Sequence, residues 1–269
     1  MTLVHQLYDL SADDKTLLNV CDKGDISIAV HQYQNYRWLF TGGRSIQSVM
    51  SLTAPQELYL PTQKVMLTAL LLQPSPRRIL NLGFGGGGFE RFFQASDGDL
   101  RLTSVDLNPQ LVELSRRYLL VPDNWPVNIC DAQDFLKLPH PACDLILCDI
   151  FNGEYHAGCL NDENFYRDAA VKLADNGVMA INLSPTSDKA LVELLRVLRR
   201  HFPGVMLSKV DTLNNIVVIA MKQNLPSMVE LGKLTDSLSA QWLLPFADLL
   251  AGFKALPTKV DVPAVEAGY

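Results

Sequence analysis

Residues 78–94 read Arg78-Ile-Leu-Asn-Leu82, Gly83-Phe84-Gly85-Gly86-Gly87-Gly88, Phe89-Glu-Arg-Phe-Phe-Gln94, and this stretch decides the fold. The first run is short and apolar and predicts a buried strand; the last predicts a helix through about Gln94. Between them, Gly83, Gly85 and Gly88 satisfy G-x-G-x-x-G. Glycine lets the chain turn sharply and lets a ligand approach the backbone, and a following helix N-terminus favours a negative group. Four consecutive glycines could also make only a tight turn. Their place between a strand and a helix favours a binding loop.

Downstream, strands and helices alternate. Leu100 to Val105 predicts a strand, and Pro109 to Leu119 a helix with proline at its first turn. Val127 to Cys130 and Asp144 to Cys148 predict strands, Asp162 to Leu173 a helix, Gly177 to Asn182 a strand, and Ser187 to His201 a helix. Val205 to Val210 and Asn215 to Met221 predict a closing strand pair, with the turn at Asp211 to Asn214. This alternation predicts an α/β fold: a Rossmann-like, methyltransferase-type sheet, mostly parallel, with helices on both faces and a terminal hairpin adding an antiparallel strand.

Upstream, residues 1 to 60 read as short strands. Ile26-Ser-Ile-Ala-Val30 alternates, Tyr36-Arg-Trp-Leu-Phe40 follows, and the Gly42-Gly43 pair before Ser45-Ile-Gln-Ser-Val-Met50 is a hairpin signal. Thr62 to Leu72 predicts a helix stopped by Pro74 and Pro76. Two units result: an N-terminal β-hairpin domain over residues 1–60, and a Rossmann-like domain over residues 61–269, its tail after Pro257 loosely held.

The chain has 269 residues, 48% hydrophobic and 19% charged, with a formal net charge of −6. That is ordinary globular composition. It contains no run rich in lysine and arginine, which argues against a nucleic-acid partner. The five cysteines are odd in number and form no C-x-x-C pair, so they read as reduced apolar residues, with neither disulfides nor a metal site. Asp9, Asp13 and Asp14 rule out a signal peptide at the N-terminus, and the most apolar stretch, Val65 to Leu72, is far too short to cross a bilayer. A cytoplasmic protein, with no membrane partner, is expected.

Acidic residues at the predicted strand ends carry the chemistry. Asp106 follows the second strand, where an acid can accept both ribose hydroxyls. It could instead cap a helix, but Asn108-Pro109 already supplies a helix start and leaves it free. Asp131 follows the third strand, where its carboxylate can take an adenine amino group. Asp149 ends the fourth strand, at the edge where open α/β sheets bind ligands. A carboxylate there can take or orient the proton of a nucleophile in an in-line displacement, or simply bond the glycine loop. Acids at successive strand ends suit a donor with positive charge and no phosphate. S-adenosylmethionine-type donors therefore rank above NAD, which has no use for Asp131. His156, beside Tyr155, could line an acceptor pocket or sit in solvent.

The chain resembles the spermidine synthase family, the polyamine aminopropyltransferases, over most of residues 17–222. The likeness begins in Ile26 to Gln34 and continues through Arg37-Trp-Leu-Phe-Thr-Gly-Gly43 leading to Gln47, similar to that family's R-x-L-x-L-D-G…Q. It extends through the glycine loop, Asp106, Asp131-Ala132 and Asp149 to Asn164-Phe165-Tyr166. The resemblance implies that Gln47, Gly83, Gly85, Gly87, Asp106, Leu107, Asp131 and Ala132 hold S-adenosylmethionine or its decarboxylated form, without a metal. Asp149 would accept the proton. A small-molecule acceptor would meet Tyr59, Gly86, Asn152 and Tyr155, and the enzyme would be a homodimer.

The departures fall on the acceptor side. The family's loop reads G-G-G-D-G-G, with an acid where Gly86 stands. Its Y-H-E appears as Tyr59-Leu60-Pro61, and its D-x-x-D as Asp149 and Asn152. A polycation leaving water needs carboxylates, so putrescine is expected to be a poor acceptor, improved by acids at positions 86 and 152. Three functions follow as expectations: an aminopropyl or methyl transferase homologous to spermidine synthase, a small-molecule methyltransferase, or a non-catalytic nucleoside-binding module.

Overall fold

The computed structural model describes residues 2–22, 27–41, 46–96, 99–122, 124–152, 155–210 and 214–257. The expected Gly42-Gly43 turn, Ile26, residues 211–213 of the closing turn and the tail from residue 258 lie outside these. The chain runs α1 (Leu3–Leu10), β1 (Leu17–Cys21), β2 (Ile28–Tyr33), β3 (Tyr36–Phe40), β4 (Ile46–Ser51) and α2 (Pro61–Met66), which continues as 3-10 turns over Leu67–Leu71. Then come β5 (Arg78–Leu82), α3 (Gly88–Gln94), β6 (Arg101–Asp106), α4 (Pro109–Tyr118), β7 (Val127–Ile129), α5 (Ala132–Lys137), β8 (Cys143–Cys148), and the short β9 (Phe151–Asn152) and β10 (Tyr155–His156). The remainder is α6 (Glu163–Lys172), β11 (Leu173–Leu183), α7 (Asp188–Leu198), β12 (Gly204–Lys209), β13 (Ile216–Met221), α8 (Met228–Gly232), α9 (Thr235–Trp242), α10 (Phe246–Ala251) and β14 (Lys254–Ala255).

The central sheet has eight strands in the order β14-β12-β13-β11-β8-β5-β6-β7. Strands β7, β6, β5, β8 and β11 are parallel neighbours, and β13 inserts antiparallel between β11 and β12. From β5 the chain steps outward through β6 and β7, then returns to the other flank of β5 with β8. The direction of winding reverses between β5 and β8, and the crevice at their carboxyl ends is where such sheets take ligands.

Strand β8 shows why the sheet is covered on both faces. Leu145 and Leu147 pack with Leu70, Phe93 and Phe246, while the alternate Ile146 and Cys148 pack with Leu82, Phe165 and Leu198. Side chains two apart share a face, so an unbroken apolar run fits only a strand buried on both sides. The N-terminal unit is a four-stranded antiparallel sheet in the order β1-β2-β3-β4. One face sets Ile28, Val30, Leu39 and Met50 against Leu114 and Leu119 of the α4 region. The other sets Trp38, Ile46 and Val49 against Leu7 of α1.

Helix α1 lies in a region expected to hold only short strands. Leu3, Leu7 and Leu10 stand at i, i+4 and i+7, and the Thr2 side chain accepts from His5 N–H to cap it. Two turns are too short for that period to stand out. Helices α5, α8, α9 and α10 also go beyond the expected elements. Ser227 and Glu230 form a reciprocal capping box at α8. Trp242 of α9 stacks on Phe92, centroids 5.9 Å apart, and meets Phe93 edge-on at 5.7 Å. All five cysteines are free thiols. No helix among the described residues is long and apolar enough to cross a membrane.

A buried carboxyl lies beneath the crevice. Glu90 of α3 is 1% exposed; its Oε1 accepts from Asn81 Nδ2 at 2.7 Å and from Ser104 Oγ at 2.6 Å. Oε2 of Glu90 and Oδ1 of Asn81 are both buried without partners. Burial pushes the Glu90 carboxyl up, opposed by those hydrogen bonds. A folded-state value above the unfolded one gives stability that is complete below the ordinary glutamate range. That stability is lost as pH rises towards the folded-state value. Glu90→Gln keeps the shape, keeps an oxygen for Asn81 Nδ2 and Ser104 Oγ, and removes the titration. We expect its melting temperature to gain on wild type as pH rises above the ordinary glutamate range, and the gain to level off once Glu90 ionises in the folded protein. A difference that does not change with pH would show that Glu90 titrates normally.

Candidate functional site

The glycine loop is tied to both neighbouring strand ends. Gly83 N–H and Phe84 N–H donate to the Val105 carbonyl at 2.9 and 3.0 Å. Gly83 has φ +93°, and a Cβ there would stand 2.2 Å from the Asp149 carbonyl oxygen. Only glycine meets both conditions. Arg91, 6% exposed, braces the loop from behind: it donates to the carbonyls of Gly86 at 2.6 Å, Pro55 at 2.9 Å and Leu119 at 3.0 Å. Its guanidinium thereby joins the N-terminal unit, the loop and the end of α4, a fan of donors that lysine lacks. Burial lowers the Arg91 pKa to about 10, which leaves it charged.

Gly86, expected to face the acceptor, does not. It is buried, and a Cβ there would lie 2.1 Å from Ser48 Oγ, 2.3 Å from Ser48 Cβ and 2.8 Å from a Leu119 methyl. Ser48 of β4 occupies the space that a side chain at position 86 would need, so adding an acid there displaces structure before it can meet a ligand.

Asp106 is not free, as the sequence suggested. Its Oδ2 accepts from Gly85 N–H at 3.0 Å and its Oδ1 from Asn108 N–H at 2.8 Å. Asn108 makes the helix cap itself, accepting from Gln110 and Leu111 N–H. Burial pushes the Asp106 carboxyl up, and these backbone donors oppose it. Each carboxylate oxygen keeps a second lone pair for a ligand hydroxyl, so Asp106 can at once shape the loop and present acceptors. Leu107 beside it is 70% exposed, an apolar side chain that a flat base would cover.

Asp131 caps α5: Oδ1 accepts from Gln133 N–H at 2.8 Å and Asp134 N–H at 3.2 Å. The Ala132 side chain is 8% exposed and packs in the core. What Ala132 can offer a base is its main-chain N–H, which finds no acceptor among the described residues. Gln47 on β4 donates from Nε2 to Thr41 Oγ1 at 3.4 Å, while its neighbour Ser48 meets the loop.

Asp149 lies directly after β8, its N–H on the Leu82 carbonyl at 2.8 Å. Its carboxylate is half-buried; Oδ1 accepts from Asn182 Nδ2 at 2.9 Å. Burial pushes this carboxyl up and the Asn182 bond pulls the other way. Asp149 therefore meets the loop through its main chain, and its carboxylate does not bond the loop. A carboxylate of raised pKa is a better proton acceptor near neutral pH. Asn152 and Tyr155, both expected on the acceptor side, are cross-strand partners in β9–β10, and both are exposed. His156 is pinned to the end of β11, with Nδ1 3.1 Å from the Ser184 carbonyl and 3.2 Å from its N–H. Tyr59 donates to Glu57 Oε2 at 2.7 Å and meets Tyr36 edge-on. Burial, then Glu57, raises the Tyr59 pKa to about 12, so it stays a donor.

The structure thus gathers Gly83, Gly85, Asp106 and Asp149 at one strand edge, with Asp131 on the flank. Sequence reasoning missed Ser48, Arg91 and Asn182. The Arg91 position, a charge inside an apolar helix face, was the one legible signal.

No family model matches the chain. It is 30% identical over 246 residues to the polyamine aminopropyltransferase of Neisseria meningitidis serogroup A, covering 88% of this chain and 93% of that one. A probable spermidine synthase from Corynebacterium glutamicum superposes with TM-score 0.71 at 21% identity, over 82% of this chain and 86% of that one. A spermidine synthase in complex with the transition state analogue AdoDATO superposes with TM-score 0.64 at 15% identity, over 90% and 85%.

Proposed function

The chain belongs to the polyamine aminopropyltransferase family, and from that premise we propose that it transfers an aminopropyl group from decarboxylated S-adenosylmethionine to a small amine. In that reaction the amine nitrogen forms a bond to the aminopropyl carbon as the carbon–sulfur bond breaks. Sulfur keeps the electron pair and leaves as methylthioadenosine. The nitrogen's surplus proton passes to Asp149. The observation that carries the reading is the pairing of Asp106, bonded to Gly85 N–H, with Asp149, whose main chain abuts Gly83. One acid is set for a ribose and the other for the reacting nitrogen. Asp131, Leu107 and the main chain of Ala132 would receive the adenine, with no metal in the reaction.

The acceptor remains a small molecule with less positive charge than a polyamine pocket usually requires, because Asn152 stands where an acid is expected. Methyl transfer from S-adenosylmethionine is the competing reading for the same reason. A non-catalytic module gains no support, since Asp149 is present and held by a hydrogen bond. The homodimer belongs to the family reading as well.

Incubation with decarboxylated S-adenosylmethionine and a panel of small amines should release methylthioadenosine, with putrescine a poor acceptor in that panel. Either S-adenosyl donor, at about 100 times its Kd, should add about 2.7 kcal/mol to stability, and NAD should add nothing. Release of S-adenosylhomocysteine from S-adenosylmethionine, without methylthioadenosine from the other donor, would move the protein to methyl transfer. Tight NAD binding without either donor would overturn the donor assignment.

A further inference from the structure

Beyond Asp149, two amides form a chain that leads from the far side of the sheet to its carboxylate. Asn182 is the next-to-last residue of β11 and is 4% exposed. The β11–β8 register pairs Ile181 with Cys148, so Asn182 stands level with Asp149. Its Nδ2 donates to Asp149 Oδ1 at 2.9 Å, and its Oδ1 accepts from Asn215 Nδ2 at 2.9 Å. Asn215 precedes β13, and its carbonyl accepts from Val210 N–H at 2.9 Å, which anchors it across the β12–β13 pair. A buried amide left unpaired would be costly; here both ends are used. The order of donors also fixes the sense of the chain. Rotating the Asn182 amide by half a turn would set its oxygen against the Asp149 carboxylate and its NH2 against the NH2 of Asn215. The Asp149 carboxylate, which only accepts, therefore requires N–H from Asn182, and Asn215 completes the chain by donating to the oxygen that Asn182 turns away from it.

We propose that Asn182 and Asn215 are positioning residues, a relay that fixes Asp149 Oδ1 and so holds Oδ2 for the acceptor nitrogen. The proposal rests on the transfer reading above. Oδ2 accepts no hydrogen bond among the described residues, so Asn182 sets the plane of a carboxylate that would otherwise turn about its own bond. The same bond favours the ionised form against burial. The titratable groups at this end of the sheet are Cys148, which interacts with Asp149, and two that interact with Cys148: Cys159, before α6, and Tyr166, within α6. Burial holds Cys148 and Tyr166 well above their ordinary values and Cys159 at about 11, so these three stay neutral near neutral pH.

The test compares wild type with Asn182→Ala, Asn215→Ala and the double variant, each checked for melting temperature and for donor binding by calorimetry. A hydrogen bond to a charged group predicts that Asn182→Ala lowers kcat about 10- to 100-fold. KM for the acceptor should stay within about twofold, with the acid limb of the rate profile moved to higher pH. Asn215→Ala should act in the same direction with a smaller loss, and the double variant should be no worse than Asn182→Ala, as expected for groups acting in series. A raised KM with unchanged kcat would mean that Asn182 holds the acceptor itself, and would overturn the relay. One readout needs no activity: the pH titration of the Asp149 carboxyl by carbon-13 NMR, assigned with Asp149→Asn. Its midpoint should rise in Asn182→Ala and, less, in Asn215→Ala. An unmoved midpoint overturns the proposal whatever the rates. A moved midpoint in a protein that transfers no aminopropyl group sinks the transfer reading and leaves the relay standing. Should Asn182→Ala fail to fold, the more exposed Asn215→Ala carries both readouts.

Discussion

Asp149→Asn is expected to lower kcat for aminopropyl transfer about 10²- to 10⁴-fold, the range for loss of a positioned general base. Donor affinity should stay within about twofold. The substitution is isosteric, and the loop contact at this position is made by the Asp149 carbonyl, which the variant keeps. The side chain loses only its charge and its capacity to take a proton. The asparagine can still accept from Asn182 through its own amide oxygen, so the fold has no reason to loosen. Burial pushes the Asp149 carboxyl up. The sign for activity follows: the wild-type base is ionised and active at the high-pH side, and the rate falls as pH drops through the raised value. The variant should lose that limb altogether. Steady-state rates across pH 5–9, with calorimetry of donor binding, check both halves. A variant with near wild-type kcat and an intact acid limb would take the proton-accepting role away from Asp149.

Gly83→Ala should have the largest effect on stability. A methyl at this position lies 2.2 Å from the Asp149 carbonyl oxygen and 2.8 Å from its carbon, with φ at +93°. Backbone cannot step aside as a side-chain tip can. Overpacking costs about 1–3 kcal/mol and a non-glycine residue in this backbone region a further 1–3 kcal/mol. The sum is a large share of the stability of an ordinary domain. The strain falls where β5 and β8 meet, so donor affinity should drop even in the fraction that folds. Denaturant titration should show a loss of about 2–6 kcal/mol. Gly85 makes the contrast: nothing lies within 4 Å of its Cβ position, although φ is +55°. Gly85→Ala should cost only the backbone strain. Equal stability of Gly83→Ala and wild type would mean that the loop and the Asp149 main chain are not in contact.

The chain read in order already contains most of the central domain. The alternating strands and helices from Arg78 to Met221 occupy the expected positions within a few residues, because each announces itself by a short apolar run, a proline or a glycine. Helices α1 and α8 were written in signals of the same kind, the i, i+4, i+7 leucines and the Ser227–Glu230 box, but they are too short to stand out from loops. The gathering of the strand-end residues was legible because the ends of parallel strands fall on one edge. Naming Gly83, Asp106 and Asp149 as strand-end residues was enough to place them together, with Asp131 on the flank.

What the sequence determined by itself is therefore local: which segments are strands, where a glycine loop joins strand to helix, and which acids end strands. What the tertiary structure decided is partnership. Ser48 fills the space beside Gly86, Asp106 holds Gly85, Arg91 joins three carbonyls, and Asn182 stands between Asn215 and Asp149. The physical reason is one of range. Periodicity, capping and turn chemistry act over two to four residues and leave their mark on spacing. Contacts between strands that are distant in sequence depend on strand order and packing, and a spacing pattern records neither.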